Sequence, residues 1–326
     1  MKFIYKEIST EIMISKQVFL TSVLILIFTL TAGAVIAHPG EYQELTLDYN
    51  LEGEIIIEEE SPQSTVSDIT ATLHLTPLES YRQTVSESET TPESTDSEQN
   101  VTFTWKSPST NTLPFSQKAR IETTAHTKPI TKKTTFPLED IPLSIQTYLD
   151  QTENIDSSDE IRRVATELAR GEDDLFLIEA KLARWVHDNV EYNLTTLTSE
   201  VNQPASWVME NRYGVCDEIT NLFISMNRAL GIPARFVSGM AYSEAIPDQD
   251  NWGNHGWAEV YFPETGWVPY DVTYNQLGFI DATHIELQKG SDGNRPSIKY
   301  QYRGKDINIK TTPLTFSTRV IDTGGK

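Results

Sequence analysis

Residues 213–274 constrain this chain more than any other stretch, and their first anchor is Cys216, the only cysteine in 326 residues. It stands in Tyr213-Gly-Val-Cys-Asp-Glu, directly ahead of Ile219, Leu222, Phe223, Met226 and Leu230, which recur at helical spacing. Gly231 and Pro233 supply the stop signals of a helix C-terminus. Cys216 is therefore predicted in a first helical turn, where unpaired N–H groups and the positive end of the dipole favour a thiolate. Downstream, His255-Gly-Trp-Ala-Glu-Val-Tyr-Phe reads as a strand, Pro263-Glu-Thr-Gly as a turn, and Trp267-Val-Pro-Tyr-Asp as a second strand. A thiol, an imidazole and a carboxylate follow in the order that a Cys-His-Asp nucleophile needs.

The hairpin supplies a geometric condition. Side chains alternate along a strand, so His255, Trp257, Glu259 and Tyr261 share one face. Opposed residue numbers in an antiparallel pair sum to a constant. A three-residue loop at 263–265 pairs Phe262 with Gly266 and sets Trp257 opposite Asp271. His255 is then a diagonal neighbour of Asp271 on the same face, within about 7–8 Å. A two-residue loop at 264–265 pairs Pro263 with Gly266 and sends the two to opposite faces, unless a bulge intervenes. The Cys-His-Asp reading requires the first register.

Four segments, Gly214-Val-Cys, Arg228-Ala-Leu-Gly-Ile-Pro-Ala-Arg-Phe-Val-Ser-Gly, His255-Gly-Trp-Ala-Glu-Val and Gly266-Trp-Val-Pro-Tyr-Asp, closely resemble the transglutaminase-like core. The resemblance covers about residues 155–290. It implies a papain-like arrangement, with the cysteine on a helix packed against an antiparallel sheet that carries the histidine and the aspartate. By position it makes Cys216 the nucleophile, His255 its base and acid, and Asp271 the orienter of His255. Gly256 stands where relatives often have alanine, and no oxyanion-hole side chain is legible.

A net charge of −21 argues against nucleic acid, which needs a basic footprint. One cysteine excludes an internal disulfide. With no His-x-x-x-His pair and no phosphate-cradling glycine loop, no metal or other cofactor is expected. Residues 18–37 are free of charge and follow Lys2, Lys6 and Lys16. That run is long enough for a bilayer core of about 30 Å, and favours a membrane anchor over a cleaved signal. In both cases the rest of the chain is expected outside the cytoplasm. An exported chain with a single thiol has a reactive group to protect or to use.

Between positions 39 and 150, short-period runs such as Leu45-Thr-Leu-Asp-Tyr, Ile69-Thr-Ala-Thr-Leu and Val101-Thr-Phe-Thr-Trp predict a β-sandwich. Residues 84–100, rich in Ser, Thr and Glu, read as an insertion too polar to order itself. Glu58, Glu59 and Glu60 read as a solvated charge run, and Asn100 and Asn193 match the glycosylation sequon. Helices follow Asn154: Ser157 and Glu160 form a potential capping box, and Gly171 a stop. Leu175, Ile178, Leu182, Trp185 and Val186 mark the next helix. Trp185 and Trp207 read as core; His187 and His284 read as structural; His38, His74 and His126 belong to no motif. Strands near Ile298 and Ile307 read as extending the sheet of a second domain, 151–326.

The sequence thus predicts an α+β protein: an apolar segment at 1–38, a β-sandwich-like domain at 39–150, and a transglutaminase-like domain. The resemblance implies thioester acyl transfer or hydrolysis on protein or peptide amides, carried by Cys216, His255 and Asp271. A cysteine peptidase of the cell envelope uses the same residues, and a silent binding or scaffolding module is the other alternative. The expected partners are a protein or peptide substrate and, through the N-terminal helix, a membrane.

Overall fold

Alternating apolar residues build the first layer. The computed structural model describes residues 38–325, apart from positions 98, 126, 199–201, 245–250 and 294–296. Strand β1 (Glu44–Glu59) buries Leu45, Leu47, Tyr49, Leu51, Ile55 and Ile57, with the intervening side chains turned away. It is followed by β2 (Thr65–Leu73), β3 (Gln83–Thr91), β4 (Thr95–Ser97), β5 (Asn100–Lys106) and β6 (Thr112–Thr124). One sheet places β6 between β1 and β3, and the other runs β2-β5-β4. Ile69, Phe103, Phe115 and Ile121 fill the space between them, each burial stabilising by about 1.5–3 kcal/mol.

The tract at 84–100 departs from expectation. It forms β3 and β4, paired with β6 and β5. Its side chains stay mostly exposed. Its composition denies it a core of its own, but a sheet edge asks only for backbone pairing.

Helices α1 (Leu143–Gln146), α2 (Asp159–Ala169) and α3 (Leu175–Asn189) come next. Ser158, rather than Ser157, caps α2, its Oγ accepting from the Ile161 N–H at 3.2 Å. Glu160 then falls in the first turn, so the expected box does not form, and Gly171 ends the helix at φ +75°. Asp174 caps α3 through the Phe176 N–H at 3.0 Å. A parallel pair of short strands, β7 (Glu191–Tyr192) and β8 (Tyr213–Gly214), brackets α4 (Ala205–Asn211) and leads into α5 (Cys216–Ala229). From Glu218 to Arg228 α5 is buried on every side, as a helix central to its domain must be.

The third sheet is antiparallel, in the order β12 (Gln276–Leu277), β11 (Gly266–Asp271), β10 (Trp252–Phe262), β9 (Ala234–Tyr242) and β13 (His284–Gly290). Ala258, Val260, Val268 and Tyr270 pack with Phe223 and Ile224 of α5. Met240, Trp252, Ile285 and Leu287 instead join the sandwich core, so the layers share apolar contacts.

The closing strands correct the sequence reading. β14 (Ile298–Lys305) pairs with β2, while β15 (Ile307–Thr311) and β16 (Thr315–Gly324) both pair with β1. They complete the sandwich and do not extend the third sheet. The apolar run at 18–37 lies outside the described residues, as does His126. Among the described residues, no helix is long and apolar enough to cross a membrane.

Candidate active site

Cys216 opens α5 because Val215 is extended and Glu218 folds back to accept the Val215 N–H at 3.0 Å. Valine has no side-chain acceptor, so this is half of a capping box. A Cβ on residue 214 would lie 3.0 Å from the Glu218 carboxylate; glycine there leaves that carboxylate its place. Cys216 remains partly exposed.

The hairpin adopts the three-residue loop. Phe262 pairs with Gly266 and Ala258 with Tyr270, so His255 and Asp271 share a face. His255 Nε2 lies 2.6 Å from Asp271 Oδ2. With that nitrogen occupied, Nδ1 is the one left to face a thiol, and Cys216 is near enough to raise the proton affinity of the ring. Burial opposes charge on His255, but the Asp271 carboxylate and the Cys216 sulfur outweigh it and hold the imidazole well above its ordinary value. Burial likewise opposes charge on Asp271; His255 and His284 outweigh it and hold the carboxyl far below the usual range. Asp271 Oδ1 accepts the backbone N–H groups of Thr273 and Tyr274, both at 2.9 Å.

Cys216 and His255 open onto a cleft of about 870 Å³, with Asp271 buried behind them. Tyr192 and Leu194 line one part of it, and Leu75, Phe236 and Leu287 another, with Ser238, Ser243, Asn254 and Gln288 among them. Phe236 explains the glycine at 256: a Cβ there would lie 2.3 Å from the Phe236 ring. Trp185 and Trp207 stay out of the cleft: Arg212 lies over the Trp185 ring, and Trp207 meets Tyr213 edge to face.

The Transglutaminase-like superfamily model matches residues 162–272, from α2 to just past Asp271. This segment belongs to that superfamily. The chain is 30% identical over 126 residues to the uncharacterised protein YebA of Bacillus subtilis, covering 35% of this chain and 17% of YebA. It is also 30% identical over 103 residues to a protein-glutamine gamma-glutamyltransferase of Pseudomonas aeruginosa, covering 30% of this chain and 15% of that protein. The chain thus spans a small part of these relatives. A crystal structure of a candidate cysteine protease from Cytophaga hutchinsonii superposes with a TM-score of 0.59 at 18% identity, covering 87% of this chain and 94% of that one. At that identity the likeness concerns the fold, and its coverage includes the sandwich as well as the transglutaminase-like core.

Two neighbours of the transglutaminase-like hairpin escaped the sequence reading. The Tyr274 ring stacks on His255 at 4.6 Å between centroids. His284, read from sequence as merely structural, places Nε2 3.1 Å from Asp271 Oδ2 and Nδ1 3.0 Å from Asp281 Oδ1. The i, i+3 spacing of Asp281 and His284 was the one local signal; the meeting with Asp271 depends on β13 lying beside β9. His255, Asp271 and His284 offer three donor atoms within 4.8 Å of one another. Those atoms are already engaged in hydrogen bonds, with Asp271 Oδ2 shared by the two rings. His187 does stay structural, its Nδ1 3.0 Å from the Val272 carbonyl oxygen.

Proposed function

We propose that this chain is a thiol-dependent acyl-transfer enzyme acting on carboxamide or peptide groups of proteins, with hydrolysis as its dominant outcome. The observation that carries the reading is the 2.6 Å contact between His255 Nε2 and Asp271 Oδ2, with the Cys216 thiol beside the same ring at an open cleft. Cys216 attacks the carbonyl carbon and His255 delivers a proton to the departing amine or ammonia. Water, activated by His255, then releases the acid from the thioester. Asp271 keeps the imidazole oriented throughout.

Hydrolysis is favoured because amine transfer must shield the thioester from water at about 55 M, which calls for a dry acceptor path. The walls of this cleft are largely apolar, but the sequence just ahead of His255 is polar and acidic (Ser243, Glu244, Asp248, Asp250) and favours a solvated approach over a dry one. The test supplies a glutamine-containing protein with excess labelled amine and follows amine incorporation, ammonia and new peptide termini, with Cys216→Ala as control. Ammonia release in excess of incorporation supports the reading. Majority incorporation makes the chain a transferase, majority backbone cleavage makes it a peptidase, and no Cys216-dependent product leaves a binding module.

The Lys-flanked apolar run at 18–37 supports placing this chemistry outside the cytoplasm, tethered to a membrane. Protease shaving of intact cells tests it: domains accessible in the membrane fraction support the topology, and a protected full-length cytosolic chain overturns it.

A further inference from the structure

His284 is wholly buried, and each of its ring nitrogens faces a carboxylate oxygen: Nε2 faces Asp271 at 3.1 Å and Nδ1 faces Asp281 at 3.0 Å. A carboxylate can only accept, so both nitrogens must donate. Asp281 is built to remain an anion: its Oδ1 accepts the Thr283 N–H at 2.9 Å, and its Oδ2 accepts from Gln276 Nε2 at 2.6 Å. The far side of the same segment is held by Arg82, whose side chain is wholly buried. It donates to the carbonyl oxygens of Asp281 at 2.7 Å and His284 at 3.0 Å.

We propose that His284 is a positioning residue, a fixed imidazolium that shares the Asp271 carboxylate with His255 and so weakens the hold of Asp271 on the His255 proton. The proposal rests on the functional reading above and deepens it. With Asp271 facing His255 alone, the carboxylate would hold the His255 proton more tightly. A second cation on the same oxygen, with ring centroids 5.6 Å apart, lowers that affinity by charge repulsion and by competing for one lone pair.

Among the described residues, the charged and titratable groups facing the two rings are few. They are Asp271 at the end of β11, Tyr274 in the following turn, Asp281 before β13, and Cys216 and Asp217 at the start of α5. Arg82 reaches His284 only at its carbonyl oxygen.

The experiment uses the full chain labelled with ¹⁵N-histidine, its His255 signals assigned by their loss in His255→Gln. In the unaltered protein, His284 is expected to show both ring nitrogens protonated at neutral pH; a neutral tautomer overturns the proposal. In His284→Gln, which keeps a donor toward Asp271 but removes the charge, deprotonation of His255 is expected roughly one pH unit higher. An unchanged or lower midpoint overturns it. Because Cys216 is the single cysteine, its iodoacetamide reaction reports the same step, and its alkaline limb should move with the NMR midpoint. Asp281→Asn, which removes the charge opposite Nδ1, should shift both readouts the same way by less, and serves if His284→Gln does not fold. If these results hold while no turnover is found, the functional reading fails and the role of His284 stands.

Discussion

His255 and Asp271 are diagonal neighbours across one hairpin, joined at 2.6 Å because a three-residue turn sets an even pairing sum. One residue fewer in that turn would carry the carboxylate to the other face of the sheet. A buried pair assembled this way ties the candidate site to the register of the sheet.

Replacing Asp271 with alanine is expected to lower turnover by roughly 10²-fold or more, with the fold retained at neutral pH. Steady-state assay alongside circular dichroism checks both halves. Full activity in the variant would leave His255 acting alone.

The same pair sets a pH window for stability. His255 is held above its ordinary value, so its contribution is complete below about pH 6.5 and is lost as pH rises through its folded value. Asp271 is held below its ordinary value, so its contribution is present above about pH 3.9 and is lost as pH falls through its folded value. Breaking the pair with Asp271→Asn should cost about 3–5 kcal/mol near pH 5.5 and less at alkaline pH. Urea denaturation at several pH values reads the gap; a gap constant with pH would contradict this account.

Glu179 of α3 gives a second pH signature, remote from the cleft. It is fully buried, neither oxygen has a hydrogen bond of ordinary geometry, and burial pushes its carboxyl up to about 8, against a small opposing effect of Asn227. Because the folded value is raised, stability is complete below about pH 4.5 and falls as pH rises to about 8, by on the order of 5 kcal/mol. Glu179→Gln should remove that slope and be the more stable protein at pH 8. Equal slopes in the two proteins would place a partner on the carboxylate.

Gly256→Ala should cost about 1–3 kcal/mol, because the new Cβ would overlap the Phe236 ring at 2.3 Å. Adding Phe236→Leu should restore part of the loss. Denaturation midpoints of the two single variants and the double variant measure the coupling, and strict additivity would mean that the ring simply swings aside.

Much of the site was legible because it is local. The helical spacing from Ile219 to Leu230, the stop at Gly231 and the turn before Gly266 each specify their element within a few residues, and the structure has all three. What escaped is non-local. Alternation at Ile307-Asn-Ile identifies a strand but says nothing of which sheet receives it, and β1 received it. Residues 84–100 carry too little apolar surface to signal order, yet β6 and β5 offered them ladders. His284 gains its second carboxylate only through the packing of distant strands.

The return of the last strands to β1 has a consequence for synthesis. Glu44 leaves the ribosome early, but its partner Gly324 emerges only after the whole cysteine-bearing core has been made. Until then one edge of β1 is an unfilled template beside a growing hydrophobic layer, the situation in which strands of different chains pair wrongly. Shortening the described chain from its C-terminal side would therefore act on the first sheet before it touched the third, and an aggregating fragment would report lost closure of the sandwich rather than damage to the cleft.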